Sequence, residues 1–322
     1  MKMENLFFWP LCLYPYQTDE GLDYQFPFPY YENGDLFLSW GGVGVESYAK
    51  VNPDLALKYV ENVLTQYDKD GLAFQRYSRI SQKGEGDDIL AGNCLSVVGL
   101  YKAIYGINPL YNRLYLNPHL PAKLSGTELI YNFRNDKLKI GLATDNYSVS
   151  NDQFKITSEK DFGFYSNRNE LFYFNSNNDN FSIAAKTEDK TNLSLEILKC
   201  ETDEITWTQV LTEKQKKISY TISNLEKCSN YSVTVDDKVI FTLNSGNNGT
   251  IKFDFRSAGN VNSFKITGMF QGVVKAKNIS IPFDNVEAKY VRIFAKSINT
   301  CPETDPGAGG KAWIFCDEVI IE

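Results

Sequence analysis

The residues of this chain best suited to chemistry sit in two short acidic loops, Glu32-Asn33-Gly34-Asp35 and Glu85-Gly86-Asp87-Asp88. Two carboxyl groups on opposite faces of a sugar are the machinery of glycosidic-bond hydrolysis: one protonates the leaving oxygen while the other activates a water. Tyr31 and Trp40 stand beside the first loop, and amphipathic aromatic rings of this kind can stack on a pyranose. Each feature also has a purely structural reading. Asp87-Asp88 falls where the cap of a following helix belongs, and an acid there stabilises the helix start. Glu-Asn-Gly-Asp is an ordinary turn sequence, and Tyr31 and Trp40 serve equally well as core packing. Spacing alone does not choose among Glu85, Asp87 and Asp88.

Other routes to catalysis are thinner. His119 is the only histidine; it lies between Pro118 and Pro121 with no Ser or Cys nucleophile patterned around it, so a histidine-dependent triad is not expected. The six cysteines, at 12, 94, 200, 228, 301 and 316, form no CxxC pair, which argues against a zinc site. Cys301 and Cys316 flank one loop; a bridge between them would add about 3 kcal/mol, and two free thiols are the alternative. A net charge of −7 disfavours nucleic acid as a partner. No apolar run reaches the roughly 18 residues needed to span a membrane. The opening MKMENLFFWPLCLYPY is apolar like an export signal, but Glu4 occupies the would-be basic region, Pro10 interrupts the stretch and no small-residue cleavage site follows. It reads as buried structure. The 20 Tyr and 21 Phe suit sugar stacking and also suit strands, and strands are the commoner reason for them.

The elements that must position the acids change character along the chain. Asn52-Pro53-Asp54 is a capping residue, a first-turn proline and a first-turn acid, which together predict a helix start. Leu55, Tyr59, Val60, Val63, Leu64 and Tyr67 then recur at helical spacing, and Asp70-Gly71 closes the helix. Leu90, Cys94, Val97, Val98, Tyr101 and Ile104 predict a second helix ending at Gly106, with Cys94 in its core stripe, and a shorter helix is expected over residues 43–50. From 111–121 the period switches. Residues 127–133 and 137–143 predict a hairpin around Arg134-Asn135-Asp136. A second β unit begins near Ile205, with alternating strands at 218–222, 231–235 and 238–243 and a tight turn at Asp236-Asp237. Gly246–Gly249 is a further turn before a strand at 250–255.

YYENGDLFLSW (30–40), the helix pair, QKGEGDDILAGN (82–93) and YGINPLYNRLYLNPHLP (105–121) resemble the last quarter of an (α/α)6-barrel, or six-hairpin, glycosidase of the glucoamylase-, trehalase- and disaccharide-phosphorylase-like group. The resemblance spans roughly residues 14–145. It implies a partial barrel over 1–121 followed by a β-sandwich over 122–203. It further implies that Glu85, Asp87 or Asp88 is the general base and that Tyr31, Glu32, Asp35 and Trp40 hold the substrate. The resemblance further implies that this stretch holds only about the last three or four barrel helices, whereas the general acid of such enzymes usually lies in the earlier ones.

The last 35 residues, AKYVRIFAKSINTCPETDPGAGGKAWIFCDEVIIE, resemble the C-terminal end of a discoidin (coagulation factor 5/8 type C) module of the galactose-binding-like fold. This resemblance implies a second β-sandwich over 204–322, sugar-binding loops at one end and a structural calcium nearby, with Trp313 in the core. No other cofactor is expected. The combined expectation is a multidomain chain, helical and then β, acting on glycans as the C-terminal portion of a glycoside hydrolase. The alternative is a non-catalytic glycan-binding or adhesion protein built from the β modules. Either function places it outside the cytoplasm.

Overall fold

The computed structural model describes residues 14–15, 28–38, 41–70, 74–86, 94–175, 178–201, 203–213, 215–257 and 259–269. Three α-helices stand among them: α1 (Gly41–Ala49), α2 (Pro53–Asp70) and α3 (Leu95–Gly99), the last running on into a π-type turn at Leu100–Ile104. α2 begins where the sequence predicts, with the Leu55 N–H donating to Asn52 Oδ1 at 3.0 Å. Its buried residues Ala56, Leu57, Val60 and Val63 recur at helical spacing. α1 and α3 meet through small residues. A Cβ on Gly41 would lie 1.9 Å from Ser96 Oγ, and one on Gly99 would lie 2.9 Å from Val45 Cβ. A two-stranded hairpin, β1 (Arg76–Tyr77) with β2 (Gly84–Glu85), completes this layer. Leu36 and Tyr77 exchange backbone hydrogen bonds of 2.9 Å in both directions, tying the 28–38 loop to that hairpin.

These helices are not a wedge of an (α/α)6 barrel, and the six-hairpin glycoside hydrolase expectation is overturned. The apolar residues assigned to a toroid instead converge on one another. Leu36, Val45, Leu57, Val60, Val63, Tyr77 and Ile104 form one cluster enclosed by loop, helices and hairpin. The described chain is dominated by open β-sheets, with no closed ring of paired helices. The supposed hinge is itself sheet. β3 (Ile107–Leu110) and β4 (Arg113–Leu116) form a hairpin whose Leu114 and Leu116 are fully buried, with Tyr111 at φ 54 in its turn. Cys94, expected in a core stripe, is exposed at the start of α3.

Two large sheets make up the rest. The seven-stranded sheet takes in β9 (Phe162–Asn167), β10 (Glu170–Asn175), β11 (Asn178–Thr187), β14 (Lys217–Ser223) and β17 (Ile251–Arg256), in the order β17-β14-β11-β10-β9-β4-β3. The nine-stranded sheet takes in β5 (Thr127–Phe133), β6 (Asp136–Leu142), β7 (Tyr147–Ser150), β8 (Phe154–Ser158), β12 (Leu193–Cys200), β13 (Glu204–Leu211), β15 (Asn230–Val235), β16 (Lys238–Asn244) and β18 (Val261–Gly268). Its order is β16-β15-β18-β13-β12-β8-β7-β6-β5. All pairs are antiparallel except β8 with β12. The predicted turns recur at their places: Arg134 has φ 56, and Asp236 and Asp237 have φ 48 and 63, the left-handed pair that a tight hairpin requires.

Alternation drives both sheets. In β13 and β14 every second residue is buried, so one face of each strand turns inward. The inner faces share a single core. At its centre Trp207 of β13 stacks on Phe264 of β18 at 4.7 Å and meets Tyr220 of β14, from the other sheet, at 5.2 Å. The buried Tyr220 hydroxyl donates to Gln209 Oε1 at 2.6 Å. β12 and β13, on either side of residue 203, are ladder neighbours, so strands before and after that point belong to one sheet. The discoidin-like segment at 288–322, its Trp313 and the implied calcium lie outside the described residues.

Candidate functional site

The two acidic loops come together, and a buried arginine joins them. Asp35 is sealed from solvent, its side chain 2% exposed. Its Oδ2 accepts from the Tyr31 N–H at 2.7 Å and from Arg76 Nη1 at 3.1 Å, and its Oδ1 accepts from the Arg79 N–H at 3.2 Å. The same Arg76 Nη1 also donates to Glu85 Oε2. The guanidinium is flanked by the Tyr30 and Tyr31 rings, 4.6 and 5.5 Å from their centroids. Gly34, at φ +124, turns the loop under Phe28, and a Cβ there would lie 2.8 Å from that ring.

The structure therefore gathers Tyr31, Asp35 and Glu85, leaves Glu32 on the exposed turn, and adds Arg76, which the sequence did not single out. Asp87, Asp88 and Trp40 lie outside the described residues. Chemically the cluster is a clamp. Asp35 is committed to two backbone N–H groups and a guanidinium, and Glu85 is drawn onto the same nitrogen. A hydrolytic pair instead needs its carboxyl groups apart, with a water and a sugar between them.

A cleft of about 490 Å³ at one end of the sheets is lined by Asp161, Tyr173, Asn175, Lys199, Cys200 and Glu201 among others. Its groups mostly satisfy one another. Asn175 Nδ2 donates to the Cys200 carbonyl at 2.8 Å, and Lys199 is 3.2 Å from both Glu201 and Glu204. Burial pushes the Cys200 thiol up to about 12, which keeps it protonated and non-nucleophilic. Burial also raises Asp161, against the lowering fields of His119 and Lys160.

A more accessible surface lies on the outer face of the seven-stranded sheet. Cross-strand partners share a face, and the register places Tyr115 of β4 opposite Gly163 of β9, Gly163 opposite Phe174 of β10, and Tyr165 opposite Phe172. The buried partners Leu114, Phe164, Leu171 and Tyr173 point to the core, so these rings point away from it. Gly163 is what lets them lie close. A Cβ there would meet the Tyr115 ring at 2.8 Å and Phe174 Cβ at 3.2 Å. The Tyr165 and Phe172 rings are 5.5 Å apart, and Phe172 and Phe174 are 6.1 Å apart with planes within 5°. Arg113 sets its guanidinium 3.7 Å over the Phe174 ring and donates from Nη1 to the Tyr115 hydroxyl at 3.1 Å.

Across the next two strands the same face changes chemistry. Phe174 is opposite Ser182 and then Ser223, and Phe172 is opposite Ala184 and then Thr221. Small and hydroxyl-bearing side chains thus make a shallow floor beside an aromatic ridge. The signal for the ridge was present in ELFYFN (170–175), where aromatic residues fall on both phases of a strand and one phase must face outward. No protein-family model matches this chain, and no curated protein matches it.

Proposed function

We propose that this chain is a non-catalytic glycan-binding protein whose ligand lies across the outer face of the seven-stranded sheet. The observation that carries this reading is the aromatic ridge of the half-buried Tyr115, Tyr165 and Phe172, with Phe172 coplanar with the Arg113-covered Phe174 ring, beside a hydroxyl-lined floor. A sugar ring has an apolar C–H face and an equatorial rim of hydroxyls. The ridge offers flat apolar area to the first, while Ser182, Thr221 and Ser223 offer donors and acceptors to the second. The rings cost little to order because neighbouring strands already fix them. The clamped state of Asp35 and Glu85 favours binding over turnover. A protein of this kind works where it meets polysaccharide, outside the cytoplasm.

The test is a glycan array followed by titration calorimetry on the oligosaccharides that bind. Phe172→Ala and Tyr165→Ala are expected to weaken binding about tenfold each, as loss of a stacked ring worth roughly 1–1.5 kcal/mol requires. Tyr111→Ala, at an exposed turn, serves as the control and leaves affinity unchanged. Absence of millimolar binding across the array, or binding indifferent to both ridge variants, defeats the proposal. In that event, capture of a protein through the same ridge variants would mark the surface as a protein interface.

A further inference from the structure

We infer that two copies of this chain pair through β5, strand against antiparallel strand across a two-fold axis, joining their nine-stranded sheets into one. Among the described residues the two large sheets end in four edge strands, β16 and β5 on the larger sheet and β17 and β3 on the smaller. An edge offers unpaired N–H and C=O groups to any strand that can add to it, and proteins block such edges with charge, proline or a bulge. Three of the four are blocked. β17 carries Lys252, Asp254 and Arg256 at alternate positions, all exposed. β3 is four residues long and holds Pro109, which has no N–H to donate. β16 shifts register against β15 and begins with Lys238.

β5 has none of these devices. Its seven residues pair with β6 in unbroken register, and its other edge has no strand partner among the described residues. Its one charge, Glu128, is 2.9 Å from Lys139 of β6. Between Glu128 and Asn132 the outward face presents Ile130, 56% exposed. On the inward face Leu129, Tyr131 and Phe133 pack on the core yet stay half-buried. Leu110 and Tyr111 are exposed on the β3–β4 hairpin, where the Tyr111 carbonyl accepts from Arg134 at the end of β5. The rim is thus apolar on both sheets.

A second copy fits this edge because β5 is complementary to itself. Side-chain faces match only in registers that differ by two residues, and the register centred on Ile130 pairs all seven. It sets Thr127 opposite the partner's Phe133, Glu128 opposite the partner's Asn132, Leu129 opposite the partner's Tyr131, and Ile130 opposite the partner's Ile130. Aliphatic meets aromatic, a carboxylate meets an amide and no like charges are opposed, which is what stabilises cross-strand pairs. Centring on Glu128 instead would set that carboxylate against its own copy.

Analytical ultracentrifugation of the full chain across the micromolar range tests this, with a species of twice the monomer mass expected at the upper end. Ile130→Lys brings two cations together at the axis and is expected to raise the dimer dissociation constant about tenfold. Val239→Lys, which adds the same charge to an exposed position of β16, is expected to leave it unchanged. Ile130 is exposed in the monomer, so lysine there leaves the fold intact, and thermal melting checks it. Ile130→Cys reads the position directly. Opposed residues of antiparallel strands hold their Cα atoms about 4.5–5.5 Å apart, within disulfide reach. Mild oxidation is therefore expected to link two chains through the introduced thiol, located by mass spectrometry. A monomer at every concentration, a dimer indifferent to Ile130→Lys, or a dimer that forms no link through position 130 overturns the inference. The glycan proposal stands or falls separately, since its ridge lies on the other sheet.

Discussion

Replacing Arg76 by methionine keeps the aliphatic stem and removes the cation that joins the acidic loops. Asp35, with its side chain 2% exposed, would keep its bonds from the Tyr31 and Arg79 amides but lose its counter-charge. Breaking a buried ion pair from one side costs about 3–5 kcal/mol. The two surviving amide bonds place this case at the lower end, near 3 kcal/mol. Glu85 is 38% exposed, so it turns to water and adds less than about 1 kcal/mol. An ordering follows: Arg76→Met is severe, Glu85→Gln is mild, and Arg76→Met combined with Asp35→Asn recovers much of the loss because no buried charge is left over. The loop and hairpin belong to a cluster separate from the large core, so the opening is local. Hydrogen exchange at the Leu36 and Tyr77 amides, which bond each other's carbonyls, reads it directly. Three kcal/mol corresponds to roughly a hundredfold faster exchange at both. If Glu85→Gln opened the loop as much as Arg76→Met, or if the double variant were worse than the single, the clamp would not be what holds these segments together.

Asp161 gives a pH prediction. Burial lifts its carboxyl above the ordinary value of 3.8, so over the interval between the unfolded and folded values the native state holds the extra proton. Stability therefore falls as pH rises through that interval, and the penalty is complete at neutrality. Asp161→Asn should raise the urea midpoint at pH 7 relative to wild type, with the gap closing near pH 3. Cys200, a thiol raised to about 12 by burial, should alkylate far more slowly than the exposed Cys228 in native protein at mildly alkaline pH, as peptide mapping by mass spectrometry would record. Trp207→Ala should destabilise the β core by about 3–5 kcal/mol, because the ring is fully buried between Phe264 and Tyr220. Urea unfolding followed by circular dichroism measures it, and a loss under about 1 kcal/mol would mean that the two sheets do not share that core.

Strand alternation and turn chemistry were the legible parts of the fold. The hairpins at Arg134 and at Asp236-Asp237 were readable because a left-handed backbone leaves a narrow choice of residues. The start of α2 was readable because capping depends on three adjacent residues. What covers a helix was not. An apolar stripe demands a partner without naming one, and here α1 and α3 meet through Gly41, Ser96 and Gly99, small residues that barely register in a hydrophobic pattern. β4 resembles a hinge because it is short. Leu114 and Leu116 alternate correctly with Arg113 and Tyr115, but four residues between prolines look more like a connector than a strand. Tyr31, Asp35 and Glu85 are legible by their chemistry. Their convergence depends on Arg76, which is 41 residues from Asp35, a separation that no local motif spans. The aromatic ridge was hidden because outward and inward side chains alternate through Leu171, Phe172, Tyr173 and Phe174 of β10 with no charged or amide residue among them.

The parallel contact between β8 and β12 has a consequence for how the protein is made. On one side of it lie four consecutive strands, β5 to β8, zipped early; on the other, β13 waits for β18 before its second ladder exists. β15 is likewise joined to the sheet's interior only through β18. A ribosome must therefore release residues past 268 before the wider sheet closes, and until then the nascent chain carries open ladders inviting misdirected partners. Deletions from the C-terminal side would strand β13 and β15 together, so roles in this protein are better dissected by single side-chain changes than by shortening the gene.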